Sequence, residues 1–161
     1  MGIFSFLTSS SKTENKVESI FELFEMDFDS VPDSNFKKEG TEINASGDEI
    51  EDYVTRFSVK ELGLFNKLTI KVFKNGCKNF LFSSDNFNKN DFNNLKKLVD
   101  NLFSYYGLDS SKGGKFSNND KQELLEGFWI GRSYTDEKHE PNLMISYDDE
   151  DGLGLTIWKT K

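Results

Sequence analysis

The clearest hydrophobic pattern in the chain lies between residues 89 and 106. Apolar residues recur there at intervals of three or four positions, and polar residues fill the positions between them. This spacing places the apolar side chains on one face of a helix. The stripe consists of Phe92, Leu95, Leu98, Val99, Leu102, Phe103 and Tyr106. Asn88 or Asn90 suits the N-terminal cap of this helix, and Gly107 suits the left-handed position that follows its last turn.

Two further segments have helical patterns, so the sequence predicts two or three helices in all. In residues 11–25, apolar residues from Val17 to Phe24 follow helical spacing after a polar start that resembles a capping box. The alternation at residues 24–28 also suits a short strand entered from this helix. The second segment is Asn118 to Glu126, with Ser117 or Asn118 as its cap and Gly127 as its end.

A period of two replaces the helical period in the first group of strands. Apolar residues alternate with polar ones from Tyr53 to Lys74 and again from Lys78 to Ser83. The Asn75-Gly76 pair between them predicts a type I′ hairpin turn, because that turn needs positive φ at both central residues. These residues therefore predict a three-stranded antiparallel meander.

Three more strands are predicted near the end of the chain, over residues 128–134, 143–147 and 153–158. The connections within both groups are too short for parallel pairing. The fold class is therefore α+β, with an antiparallel sheet of about six strands in two three-stranded meanders. The pattern leaves open whether they form one sheet or two. Residues 29–49 suit a long surface loop, and residues 108–117 suit a flexible link.

The length of 161 residues suits one domain, which we place at residues 11–161 after a flexible leader at residues 1–10. The alternative for the leader is an interfacial foot made of Ile3, Phe4, Phe6 and Leu7, which the absence of nearby Lys or Arg disfavours. No stretch approaches the roughly 20 apolar residues of a membrane span, and no signal-peptide pattern is present.

Charge and residue counts exclude several classes of function. The formal net charge is −8, which argues against a nucleic-acid partner because phosphates need a cationic surface. The chain has one Cys and one His, so it forms neither an internal disulfide nor a Cys- or His-rich metal site. We expect no metal and no cofactor.

Four local features resemble chemical sites, and each has a simpler interpretation. The run from Lys112 to Lys115 lacks the first glycine and the Ser or Thr of a phosphate loop, so we interpret it as a linker. The acidic run 148–151 suits a solvated hairpin tip, with weak Ca²⁺ or Mg²⁺ binding as the alternative. His139 lies in a polar loop that we expect to be exposed, and Cys77 is interpreted as incidental. No catalytic residue is assigned.

The most informative pattern is an apolar second face on the last three strands. By alternation, Phe128, Ile130 and Tyr134 face the core, whereas Trp129, Met144 and Trp158 face the opposite side. A sheet with one solvated face should carry polar residues there. Either a helix or the leader covers these three residues, or they bind a partner, since Trp and Met are common in interfaces.

The resulting functional hypothesis is a non-catalytic, acidic, cytosolic protein that binds another macromolecule, with a basic protein as the expected partner. Bacterial immunity proteins and chaperone-like modules have this size and charge. The alternative is a small-molecule-binding domain or a carboxylate-based hydrolase. The sequence leaves the oligomeric state open.

Overall fold

The computed structural model describes residues 15–17, 19–25, 27–34, 36–59 and 63–159. The strands in this part of the chain are β1 (Asn15–Val17), β2 (Lys37–Ile43), β3 (Glu49–Val59), β4 (Lys67–Phe73), β5 (Lys78–Ser84), β6 (Phe128–Tyr134), β7 (Asn142–Asp148) and β8 (Gly152–Trp158). The helices are α1 (Asn93–Tyr106) and α2 (Asn118–Glu126), and two 3₁₀ turns cover Ile20–Glu25 and Phe28–Ser30.

The predicted α+β class is confirmed, and both meanders belong to one sheet. Seven antiparallel strands follow the order β2-β3-β4-β5-β8-β7-β6, and β1 adds a short parallel pairing to β3. The two meanders meet where β5 pairs with β8, with Phe82 opposite Leu155. This junction brings the last strand of the chain to the middle of the sheet.

The hydrophobic core lies between the helices and one face of the sheet. Buried side chains of α1 and α2 share a single cluster with the inward-facing residues of β4 to β8. The helical members of this cluster are Leu95, Leu98, Val99, Leu102 and Leu124. Each fully buried Leu contributes about 1.5–3 kcal/mol, so this layer supplies much of the force that folds the sheet.

The two predicted helices after residue 88 are confirmed, although the first begins later than expected. α1 starts after Phe92, which provides no side-chain cap, so neither Asn88 nor Asn90 caps it. In α2, the Ser117 hydroxyl accepts from the Asp120 N–H while the Asp120 carboxylate accepts from the Ser117 N–H, which completes a capping box. Gly127 then adopts the expected left-handed conformation.

The prediction of a helix over residues 11–25 is wrong for the residues that the structure describes. Asn15–Val17 forms β1, and Ile20–Glu25 is a 3₁₀ turn; residues 11–14 and the 1–10 leader lie outside the described residues. A 3₁₀ turn repeats every three residues and places Phe21 and Phe24 on one side. Both rings pack against Tyr105, at centroid distances of 5.1 and 5.3 Å.

The long surface loop predicted over residues 29–49 contains an edge strand instead. β2 pairs with β3 along its length, and all seven of its residues are exposed. A strand exposed in this way shows no hydrophobic alternation, so its pattern is that of a loop. Its lysines and glutamates also discourage pairing with another chain.

The hairpin after β4 is present, but its turn is not type I′. Asn75 has a negative φ, and Gly76 alone is left-handed, with φ of 81°. The Gly76 N–H donates to the Phe73 carbonyl, and the Phe73 N–H donates to the Cys77 carbonyl. These bonds define a three-residue loop that ends in a glycine bulge, a second common hairpin geometry.

Candidate functional site

A bulge in β6 changes which residues of this strand face the core. Between Trp129 and Arg132 the register with β7 shifts, so Ile130 and Gly131 together occupy the space of one residue. Gly131 has φ of 82°, and a Cβ there would lie 1.7 Å from the Ile145 carbonyl oxygen. Only glycine fits this position, which makes the bulge a consequence of the sequence.

Two predictions for β6 are therefore wrong. Trp129 is fully buried in the core, and not on the opposite face. Phe128 and Ile130, which simple alternation places in the core, are 63% and 71% exposed. The extra residue at the bulge reverses the alternation on one side of it, so a strict period of two fails there.

Trp129 is held in the core by a buried polar cluster. Its indole N–H donates to Asp120 Oδ1 at 2.8 Å, and Arg132 donates to both Asp120 oxygens at 2.7 and 2.8 Å. Burial alone would raise the pKa of Asp120, but hydrogen bonds from Arg132, Ser117 and Trp129 outweigh it and hold that pKa well below its usual range. The cluster is structural, since its carboxylate is fully used within the chain.

Strands β5 to β8 present an open face on the side away from the helices. Strand pairing aligns Ser133, Met144, Thr156 and Leu81 in one row across it, and Ser146, Gly154 and Ser83 in the next. We define the open face as the residues Asn79, Leu81, Ser83, Phe128, Ile130, Ser133, Met144, Ser146, Gly154, Thr156 and Trp158. Met144 is 46% exposed, and Trp158 is half-buried. Met144 and Trp158 thus lie on the predicted side of the sheet, whereas Trp129 does not.

The open face carries no charged side chain, although 30% of the residues in the chain are charged. Charge returns at its borders: β4 places Lys67 and Lys71 on the same side of the sheet, and Asp148 lies directly opposite Phe128 at the end of β7. Loss of charge at the centre with charge at the rim is typical of protein interfaces.

The acidic hairpin after β7 forms one border of this face. Asp148 accepts from the N–H groups of Glu150 and Asp151 and so fixes the turn. Asp149 receives hydrogen bonds from Lys89 and Tyr147, which lower its pKa. Glu150 and Asp151 remain exposed. Within the described residues, no three His, Cys, Asp or Glu side chains converge as a metal-binding group.

The segment 108–117, predicted as a flexible link, is tied down by side chains. The Asp109 carboxylate accepts from the N–H groups of Ser111 and Gly113. Arg132 donates to the carbonyls of Gly114 and Lys115. The Gly113 N–H group of the glycine-rich run thus binds the chain's own Asp109 carboxylate.

His139 is buried, contrary to the expectation of an exposed loop residue. It is 8% exposed, and its ring meets those of Tyr106 and Tyr134 at centroid distances of 5.4 and 5.2 Å. Its Nδ1 lies 2.7 Å from an Asp136 carboxylate oxygen. Burial of Tyr134 in the same cluster raises its pKa to about 12. The His139 ring is thus part of an aromatic cluster with Tyr106 and Tyr134.

Cys77 is half-exposed beside the hairpin loop and lines an open cleft of about 240 Å³ with Phe28 and Lys159. Lys78 lines the same cleft, but its ammonium donates to the carbonyls of Phe28 and Asp29. These contacts anchor a 3₁₀ turn to β5.

No family model, no curated protein and no solved structure matches this chain. None of the helices that the structure describes has the length and apolar character needed to cross a membrane. The assignment of the open face as the candidate site therefore rests on the structure of this chain alone. The sequence analysis did not predict that Phe128 and Ile130 are exposed on the open face. The signal that could have shown it is Gly131, because a glycine in the middle of a strand often marks a bulge.

Proposed function

We propose that this protein is a non-catalytic binding module that recognises a basic protein through the open face. The observation that carries the proposal is the open face, which has no charged side chain and exposes Phe128 and Ile130 of β6 and Met144 of β7. Isolated apolar residues are normal on a protein surface, but neighbouring exposed ones on a face without charge favour an interaction site.

The charge of the chain supports a basic partner. The net charge of −8 attracts cationic surfaces at long range, and Asp148 lies directly opposite the exposed Phe128, with the exposed Glu150 and Asp151 in the hairpin that follows. A partner with apolar side chains flanked by Lys or Arg would match both features. We infer a cytosolic, immunity-protein or chaperone-like role, for which size, charge and this surface are the support.

Gly154 offers a direct test because it lies in the middle of the open face, between Ser83 and Ser146. A Cβ at Gly154 meets no atom within 4 Å, so a large side chain should project outward without disturbing the fold. Gly40 in the edge strand β2 has the same free space and provides a matched control on a distant surface.

The experiment compares the wild type with Gly154→Arg and Gly40→Arg in affinity capture from the native host, followed by calorimetry with the purified partner. We expect Gly154→Arg to keep its melting temperature and to weaken binding at least about 30-fold, which corresponds to roughly 2 kcal/mol. Gly40→Arg should bind like the wild type. Equal binding by all three proteins would exclude the open face as the site.

A further inference from the structure

A second surface, distinct from the open face, lies where α1 and α2 begin. Phe92, which precedes α1, and Lys96 near the start of α1 line an open cleft of about 440 Å³ with Phe116 and Lys121 on the side of α2. Ser117 and Asn118 complete its wall. The open face belongs to the other side of the sheet, so the cleft is independent of the proposed function.

Two aromatic rings form the apolar part of this cleft. Phe92 and Phe116 stack with a centroid distance of 5.7 Å and an angle of 13° between their planes, and both remain half-exposed. The accessible parts of the two rings provide an apolar surface that another ring can contact. Phe116 also lies 6.1 Å from the buried Trp129, which fixes its position from behind.

Lysines form the polar part. The Lys121 ammonium lies 5.3 Å from the centre of the Phe92 ring and makes no ion pair with any residue that the structure describes. Lys96 donates to Asp100 Oδ2 at 2.7 Å, and Asp100 Oδ1 accepts from the Phe116 N–H at 2.9 Å. Asp100 thus compensates the charge of Lys96, whereas the Lys121 charge is available to a ligand.

We propose that this cleft binds a small aromatic anion, a planar ring that carries a carboxylate or a phosphate. The ring packs against Phe92 and Phe116, and the anionic group is held by Lys121, whereas Lys96 keeps its ion pair with Asp100. The Lys121 ammonium lies over the Phe92 ring and so places a positive charge next to the apolar part of the cleft, where one ligand can meet both.

Phenyl phosphate is the probe, and amide shifts in ¹H–¹⁵N NMR spectra are the measurement. We expect saturable shifts confined to residues 92–96 and 116–121. Lys121→Gln should weaken binding about fivefold without changing the melting temperature, because Lys121 is exposed. Lys97→Gln is the matched control, since Lys97 is an exposed lysine of the same helix as Lys96 and does not line the cleft.

Two comparison ligands decide which part of the probe is recognised. Inorganic phosphate and benzyl alcohol should each bind at least about fivefold more weakly than phenyl phosphate. Equal binding of inorganic phosphate would reduce the cleft to a nonspecific cationic surface and overturn the proposal. The absence of saturation, or equal loss of binding in Lys121→Gln and Lys97→Gln, would overturn it as well.

Discussion

The Asp120 carboxylate joins the start of α2 to strand β6. It caps α2 through Ser117, accepts from the Trp129 indole, and forms two hydrogen bonds with Arg132. The Asp120 and Arg132 side chains are only 7% and 8% exposed. Removal of one member of such a buried pair leaves the other charge without compensation, which is more costly than the pair itself is stabilising.

We therefore predict that Asp120→Asn lowers the free energy of unfolding at pH 7 by about 3–5 kcal/mol. Because folding lowers the pKa of Asp120, its contribution is complete above the unfolded pKa near 3.9 and is lost as the pH falls below it. The difference from the wild type should be constant between pH 5 and 7. It should shrink below pH 4, by at most about 1.4 kcal/mol per pH unit.

Urea denaturation at pH 7, 5 and 3 measures this difference. Asp151→Asn is the control, because Asp151 lies exposed in the hairpin after β7 and should show little effect at any of these values. A difference for Asp120→Asn that is as large at pH 3 as at pH 7 would contradict the role assigned to the carboxylate charge.

At the scale of elements, the bulge in β6 decides the composition of both faces of the sheet. It turns Trp129 and Arg132 inward, toward Asp120, and leaves Phe128 and Ile130 outside. The register shift occurs at Gly131, where the neighbouring strand comes too close for any Cβ. The core and the open face therefore depend on the same glycine.

Gly131→Ala should destabilise the protein by at least about 2 kcal/mol, since positive φ costs an L-residue roughly 1–2 kcal/mol and the Ile145 carbonyl must also move. Gly154→Ala should change stability by less than about 1 kcal/mol, because that site has an ordinary φ and free space. Thermal and chemical denaturation of the two variants measure this contrast. Equal stability would show that the bulge tolerates a side chain.

The elements that the sequence predicts correctly are those with one buried face, even where the predicted cap or turn type is wrong. α1 has an unbroken apolar stripe, α2 has its cap and terminal glycine, and the β4–β5 and β7–β8 hairpins alternate strictly. The errors occur where burial does not follow local periodicity. β2 is exposed on every residue, and the β6 bulge adds one position to a strand. Neither arrangement follows from a hydrophobic pattern, because tertiary pairing determines both.

At the scale of the whole molecule, the sheet has two unlike faces. One packs against α1 and α2 and contains most of the core, whereas the open face of β5 to β8 is bare of charge and partly exposed. Sequence alternation is enough to predict that Met144 and Trp158 lie on the second face. It is not enough to predict that Phe128 and Ile130 are exposed there, because that prediction requires the register of β6 with β7.

The two tryptophans report on these two faces separately. Trp129 is fully buried, and Trp158 is half-buried on the open face, so the wild type should contain one quencher-resistant and one quencher-accessible indole. Trp158→Phe should remove the accessible component and leave blue-shifted emission that acrylamide quenches weakly. The melting temperature should change little, because the substituted ring stays at the surface. Trp129→Phe removes the hydrogen bond to Asp120 and should lower the melting temperature clearly. Strong quenching of the indole that remains in a folded Trp158→Phe variant would place Trp129 outside the core and contradict the bulged register of β6.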